Sequence, residues 1–182
     1  MSDHICASNN HTVSLSPQEV LDCPKGGRGC KGGSVNQVLG WGKRKGFIEK
    51  KCYMDKDSTE QDGKCPDDHL VDNECRQKNH IYKVVDFCLA QDTEGVKREI
   101  LKNGPVIAQM NVATDFITYK EGVYHRTADS FKFPGNHIVK VVGWDMGDED
   151  SGTPFWIAQN VWGQDWGEDG FFKIAMGESM LD

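Results

Sequence analysis

A chain of 182 residues, 37% of them hydrophobic and 27% charged, has an ordinary globular composition and is long enough for one large domain or two small lobes. Its formal net charge of −7 argues against a polyanionic partner, and the basic residues Lys43, Arg44, Lys45, Lys50 and Lys51 extend into no wider basic face, so nucleic acid is set aside. No stretch approaches the ~18 consecutive apolar residues of a transmembrane helix, and Met1-Ser2-Asp3-His4-Ile5-Cys6 lacks the basic-then-apolar pattern of a secretory signal.

The seven cysteines, Cys6, Cys23, Cys30, Cys52, Cys65, Cys75 and Cys88, all lie in the first half among Gly, Pro, Asp and Lys. That usage points to a disulfide framework formed in an oxidising compartment, and the odd number implies a missing partner. A zinc module built from Cys52, Cys65, Cys75 and Cys88 with His69 or His80 has no C-x2–4-C knuckle, so no metal is expected.

In chain order, Ser16-Pro17-Gln18-Glu19 opens a helix, with an N-cap serine, proline at the first position and glutamate at the third. Ser34 to Lys45 reads as a second helix stopped by Gly46. Residues 50–80 read as an irregular, cross-linked loop. After them, Ile81 to Phe87 has the composition of a strand, and Thr93 to Asn103 of a short amphipathic helix ended by Gly104-Pro105. Strands are expected at Val106–Val112, His137–Trp144, Pro154–Asn160 and Gly170–Ala175. Helices first and strands later define an α+β protein. Residues 1–80 form a helical, disulfide-rich lobe and 81–182 a strand-rich one, together one domain.

His137 starts one apolar strand and Asn160 ends another. The two side chains are able to meet in a cleft, with the amide oxygen fixing the ring tautomer. On its own this pairing is weak, because a histidine at a strand end is more often an ordinary surface residue.

Longer motifs strengthen it. Leu15-Ser16-Pro17-Gln18-Glu19-Val20-Leu21-Asp22-Cys23 with Gly29-Cys30-Lys31-Gly32-Gly33 resembles the L-S-x-Q-x-L-x-D-C…G-C-x-G-G stretch of papain-like cysteine peptidases. Asn103-Gly104-Pro105-Val106, Tyr119-Lys120-Glu121-Gly122-Val123-Tyr124 and Gly135-Asn136-His137-Ile138-Val139 are similar to three further motifs of that family. Phe155-Trp156-Ile157-Ala158-Gln159-Asn160-Val161-Trp162-Gly163, followed by Trp166-Gly167, resembles its asparagine motif. The motifs follow the family's order over nearly the whole chain.

The resemblance implies the papain-like two-lobed fold, with a barrel-like second lobe, and cysteine-type peptidase activity without a cofactor. It implies His137 as catalytic base, Asn160 as the group that orients it, and Trp162 as a cover over their hydrogen bond. Gly32, Gly33 and Asn136 would bind substrate, the glycine pair through β-augmentation, although a tight turn explains the glycines equally. Cys23 would pair within the 52–75 loop, with Cys30, Cys52, Cys65 and Cys75 as the other disulfide candidates. Peptide or protein substrates, protein inhibitors of the cystatin type, and a lysosomal or secreted location are further expectations. Val161 departs from the family's usual serine, and Lys140 sits unusually within the histidine strand, expected to point outward between Val139 and Val141.

The family's nucleophile lies in a Q-x-x-x-C-G-S-C-W segment, which does not occur here. Cys6 is 131 residues before His137, inside the family spacing of about 130–150. Its context, however, resembles the far end of the nucleophile's helix in cathepsins B and X, and places the nucleophile upstream of Met1. The chain is therefore expected to be a fragment of a peptidase. The alternative is a pseudoenzyme that uses the fold for binding or structure.

Overall fold

The computed structural model describes residues 1–23, 32–53, 65, 75, 81–134, 136–147 and 152–178. The chain divides into two compact units, Met1–Cys88 and Leu89–Asp182. Cys30, and most of the 50–80 segment read as a loop, lie outside the described residues.

The first unit holds helices α1 (Ser2–Asn9), α2 (Pro17–Asp22) and α3 (Val35–Arg44), and the two-residue strands β1 (Phe47–Ile48) and β2 (Ile81–Tyr82). Ser16 caps α2 by accepting the Glu19 N–H at 3.1 Å, and its own hydroxyl donates to the Tyr53 carbonyl at 2.6 Å. Glu19 does not turn back on Ser16 as in a capping box. Its Oε2 instead accepts the Ile48 N–H at 2.9 Å, while the Ser16 N–H donates to the Ile48 carbonyl at 2.9 Å. The start of α2 is thereby tied to β1 through the backbone of a single residue. The carboxyl that does this is fully buried. Burial pushes Glu19 up to about 7, with the Ile48 N–H and the Trp41 indole opposing part of the rise.

Disulfides join Cys23 to Cys65 and Cys52 to Cys75, closing sequence separations of 42 and 23 residues. Cross-links of that span stabilise a fold by about 3–4 kcal/mol each, on the chain-entropy account. Cys6 and Cys88 are free and exposed.

The expected strand Ile81 to Phe87 is corrected. Only Ile81 and Tyr82 pair, opposite Ile48 and Phe47, and Val85 is 89% exposed. The ladder stops because residues 83 onward would have to pair with residues before Phe47, where the chain is still leaving α3 through Lys45 and Gly46. Beyond Tyr82 the segment is held by the Val84 N–H on the Gly42 carbonyl and by an exposed Lys43–Asp86 ion pair.

The second unit begins with α4 (Thr93–Asn103), capped by Asp92, whose carboxylate accepts the Gly95 N–H at 2.6 Å. A five-stranded mixed sheet follows, from β3 (Val106–Met110), β4 (Val123–Tyr124), β5 (His137–Asp145), β6 (Phe155–Gln159) and β7 (Phe171–Ala175). The spatial order is β3-β5-β6-β7-β4, antiparallel except for the parallel β4–β7 pair. Along β5, Val139 and Val141 are buried and Lys140 between them is not, which is the alternation of a sheet with one core face. The core of this unit gathers Met110, Phe116, Tyr124, Val141, Trp156, Phe172 and Ile174. Among the described residues, a few helices and a mixed sheet make an α+β fold.

Candidate active site

His137 is the first residue of β5, paired across the sheet with Met110 of β3. Asn160 follows directly on the last residue of β6. The strands are antiparallel, with Lys140 opposite Gln159, so the start of one lies beside the end of the other. The sheet therefore brings together two side chains 23 residues apart: His137 Nε2 lies 2.8 Å from Asn160 Oδ1.

The same amide oxygen accepts the Val161 backbone N–H at 2.8 Å. Two donors converging on that atom require it to be the oxygen, so the ring nitrogen facing it carries the proton. In neutral His137 the lone pair is then on Nδ1, the nitrogen able to take a proton from another group. The Val161 side chain is 75% exposed and only its backbone participates, so valine at this position leaves the arrangement intact.

Asn160 is buried, and its own N–H donates to the Gly170 carbonyl at 2.9 Å. That bond closes the loop between β6 and β7 at its neck. The Gly170 N–H bonds the Trp166 carbonyl, and Glu168 and Phe171 exchange backbone bonds. Gly167 has φ +63°, and a Cβ there would stand 2.5 Å from the Phe171 carbonyl oxygen, so only glycine fits the turn. Glu168 fixes the loop from outside. It accepts from the Tyr119 hydroxyl at 2.8 Å and the Gly122 N–H at 3.1 Å, and pairs with Lys173 at 2.8 Å. The Lys173 ammonium is the main cause holding the Glu168 carboxyl below its ordinary range, so it remains charged.

Trp162 lies against the His137 ring, the two centroids 5.2 Å apart with the planes tilted by 34°. Phe116 at 5.7 Å and Trp166 at 5.0 Å support it from behind, and the Trp166 indole N–H is anchored on the Ile117 carbonyl at 2.9 Å. The aromatic cluster thus continues from the core to the ring of His137. Phe116 was not legible as part of the site, because it reaches Trp162 from 46 residues away. The Val161 N–H was missed for a different reason, since a backbone donor leaves no trace in residue identity.

Asn136 is exposed next to His137. Gly32 and Gly33 are exposed in the first unit, and Gly32 has φ +94° with nothing within 4 Å of a Cβ placed there. Backbone conformation, rather than a crowded neighbour, explains the glycine at 32. Among the described residues no group of three or more His, Cys, Asp or Glu is gathered as a metal site.

Fold and site together define a papain-like protein, a mixed α+β chain with a histidine–asparagine pair at the end of its sheet. The chain belongs to the papain family of cysteine proteases, whose pattern matches residues 1–181. It is 32% identical to a gut-specific cysteine proteinase of Caenorhabditis elegans, over 98% of this chain and 58% of that one. It is 33% identical to cathepsin B-like protease 1 of Arabidopsis thaliana, over 97% and 49%, and 33% identical to tubulointerstitial nephritis antigen of Bos taurus, over 98% and 42%. Among solved structures, procathepsin B S9 from Trypanosoma congolense superposes with a TM-score of 0.81 at 32% identity, covering 99% of this chain and 61% of that one. The bromelain protease from Ananas comosus in complex with the E64 inhibitor gives 0.76 at 25%, covering 98% and 76%. The chain spans about half the length of the curated relatives it matches.

Proposed function

We propose that this chain carries the proton-transfer half of a cysteine peptidase that hydrolyses peptide bonds in peptides or proteins. The observation that carries the reading is the 2.8 Å contact of His137 Nε2 with Asn160 Oδ1, whose geometry directs the ring's basic nitrogen away from the amide. In the proposed reaction a cysteine thiol gives its proton to Nδ1 of His137, and the thiolate attacks the substrate carbonyl. The imidazolium then protonates the leaving amine, and the acyl-enzyme is hydrolysed by a water that the same nitrogen activates. Asn160 holds the ring, and Trp162 limits water around their bond, which strengthens it. Gly32, Gly33 and Asn136 are proposed to hold substrate backbone, the open space at Gly32 being compatible with an extended strand.

The nucleophile is proposed to come from sequence outside these 182 residues. Cys23, Cys52, Cys65 and Cys75 are in disulfides, and no cysteine of the chain sits in a Q-x-x-x-C-G-S-C-W segment. The same absence favours the second reading, a papain-like binding protein without catalysis. Cystatin-type inhibitors and a lysosomal or secreted location follow from the first reading, supported by the two disulfides. The test compares the 182-residue chain with the full-length protein on a fluorogenic peptide, before and after a thiol-directed epoxide. Turnover only by the full-length protein, stopped by the epoxide, is expected. A full-length protein that turns over nothing and takes up no epoxide establishes the binding reading. Turnover by the short chain with epoxide on Cys6 would make Cys6 the nucleophile.

A further inference from the structure

Asn10-His11-Thr12 is the one place in the chain where an asparagine is followed two positions later by serine or threonine; the other eight asparagines are not. That tripeptide, with a residue other than proline in the middle, is the acceptor pattern for N-linked glycosylation. The pattern is short and arises by chance, so its placement has to decide.

Placement favours it. Helix α1 ends at Asn9, and Asn10 turns the chain out of the helix in the left-handed region, φ 51° and ψ 33°, where asparagine is among the few residues at ease. Its backbone N–H is satisfied by the Cys6 carbonyl at 2.8 Å, so the turn is held while the side chain is not used to hold it. Asn10, His11 and Thr12 are all exposed, and the first buried residue after them is Val13. Pairing resumes only with the Lys50 N–H on the Ser14 carbonyl and the bridge between Leu15 and Glu49. The tripeptide is thus a surface link between α1 and the next fixed point, and α1 itself buries no residue. A second observation concerns the compartment. The Cys23–Cys65 and Cys52–Cys75 disulfides require an oxidising lumen, which is also where N-glycans are attached.

We propose that Asn10 is an N-glycosylation site, accepting an oligosaccharide from a lipid-linked oligosaccharyl diphosphate. The Asn10 amide nitrogen attacks the anomeric carbon of the donor's first sugar. The N–C bond forms as the bond from that carbon to the diphosphate oxygen breaks, and the lipid diphosphate leaves with the electron pair. The amide nitrogen loses one proton to the transferase's base, and nothing is oxidised or reduced. The Thr12 hydroxyl is the group the transferase reads, and no residue of the His137–Asn160 site takes part.

The test uses the full-length protein secreted from a eukaryotic cell line. Peptides containing residue 10 are mapped by mass spectrometry, with and without an amidase that removes N-glycans in heavy-oxygen water. The wild-type protein is expected to yield labelled aspartate at position 10 only after the amidase. Thr12→Ser is expected to retain the modification and Thr12→Val to lose it, with the Cys23–Cys65 disulfide present in both. An Asn10 that is unmodified throughout the secreted, disulfide-bonded wild-type protein would overturn the proposal, as would labelling that persists in Thr12→Val.

Discussion

The Oδ1 atom of Asn160 receives two donors at 2.8 Å, the His137 ring nitrogen Nε2 and the backbone N–H of Val161, and so fixes both which way the amide points and which ring nitrogen is protonated. Removing the amide should therefore disturb alignment more than binding. In the full-length protein, Asn160→Ala is expected to lower kcat by roughly a hundredfold, the scale of a misplaced general base, with little change in KM. Steady-state kinetics on a fluorogenic peptide provide the measurement, and a KM-dominated loss would move Asn160 from positioning the ring to binding substrate.

Phe116 is fully buried and meets Tyr124 at 5.0 Å, Phe172 at 4.9 Å, Trp166 at 5.1 Å and Trp162 at 5.7 Å. Phe116→Ala is expected to cost about 3–5 kcal/mol, the range for a deleted core aromatic. It should also loosen Trp162 over His137, so the tryptophan fluorescence of the folded protein should change along with the denaturation midpoint. A loss below about 1 kcal/mol would show that the cluster refills the space.

Glu19 sets a pH dependence of the opposite sign to that of a paired surface carboxylate. Its folded pKa is raised from 4.5 to about 7, chiefly by burial. The folded state therefore binds more protons than the unfolded state between those values. Glu19's contribution to stability is therefore fullest below pH 4.5 and is lost as the pH rises towards 7, by an amount on the order of 3 kcal/mol. Glu19→Gln keeps an acceptor for the Ile48 N–H without a charge, and is expected to flatten this slope. Urea denaturation at several pH values across that window is the check, and parallel declines in both proteins would count against it.

Much of the fold was legible where the signals are local. Ser16-Pro17 and Gly104-Pro105 mark helix ends by their own chemistry, and the alternation from His137 to Val142 marks a strand with one core face. What was not legible depends on distant partners. Ile81 to Phe87 has a strand's composition, but strand formation there is set by β1, which offers only two residues. Glu19 reads as half of a capping box, yet its carboxyl goes to Ile48, 29 residues on. The bonds from Tyr119 and Gly122 to Glu168, and the parallel β4–β7 pairing, likewise join residues tens of positions apart. The meeting of His137 and Asn160 was readable only through motifs surrounding each. Residue types and spacing alone favoured an ordinary strand-end histidine.

In the proposed reaction His137 is the base that ionises a cysteine thiol. The most direct measurement is the rate of alkylation of the full-length protein by iodoacetamide as a function of pH, with peptide mapping of the labelled cysteine, in wild type and His137→Ala. A cysteine outside these 182 residues is expected to react rapidly in the wild type from about pH 4 upward, as a thiolate paired with an imidazolium does. In His137→Ala that reactivity should appear only near pH 8.5, the ordinary range of a free thiol. The same low-pH reactivity in both proteins, or rapid labelling confined to Cys6, would contradict it.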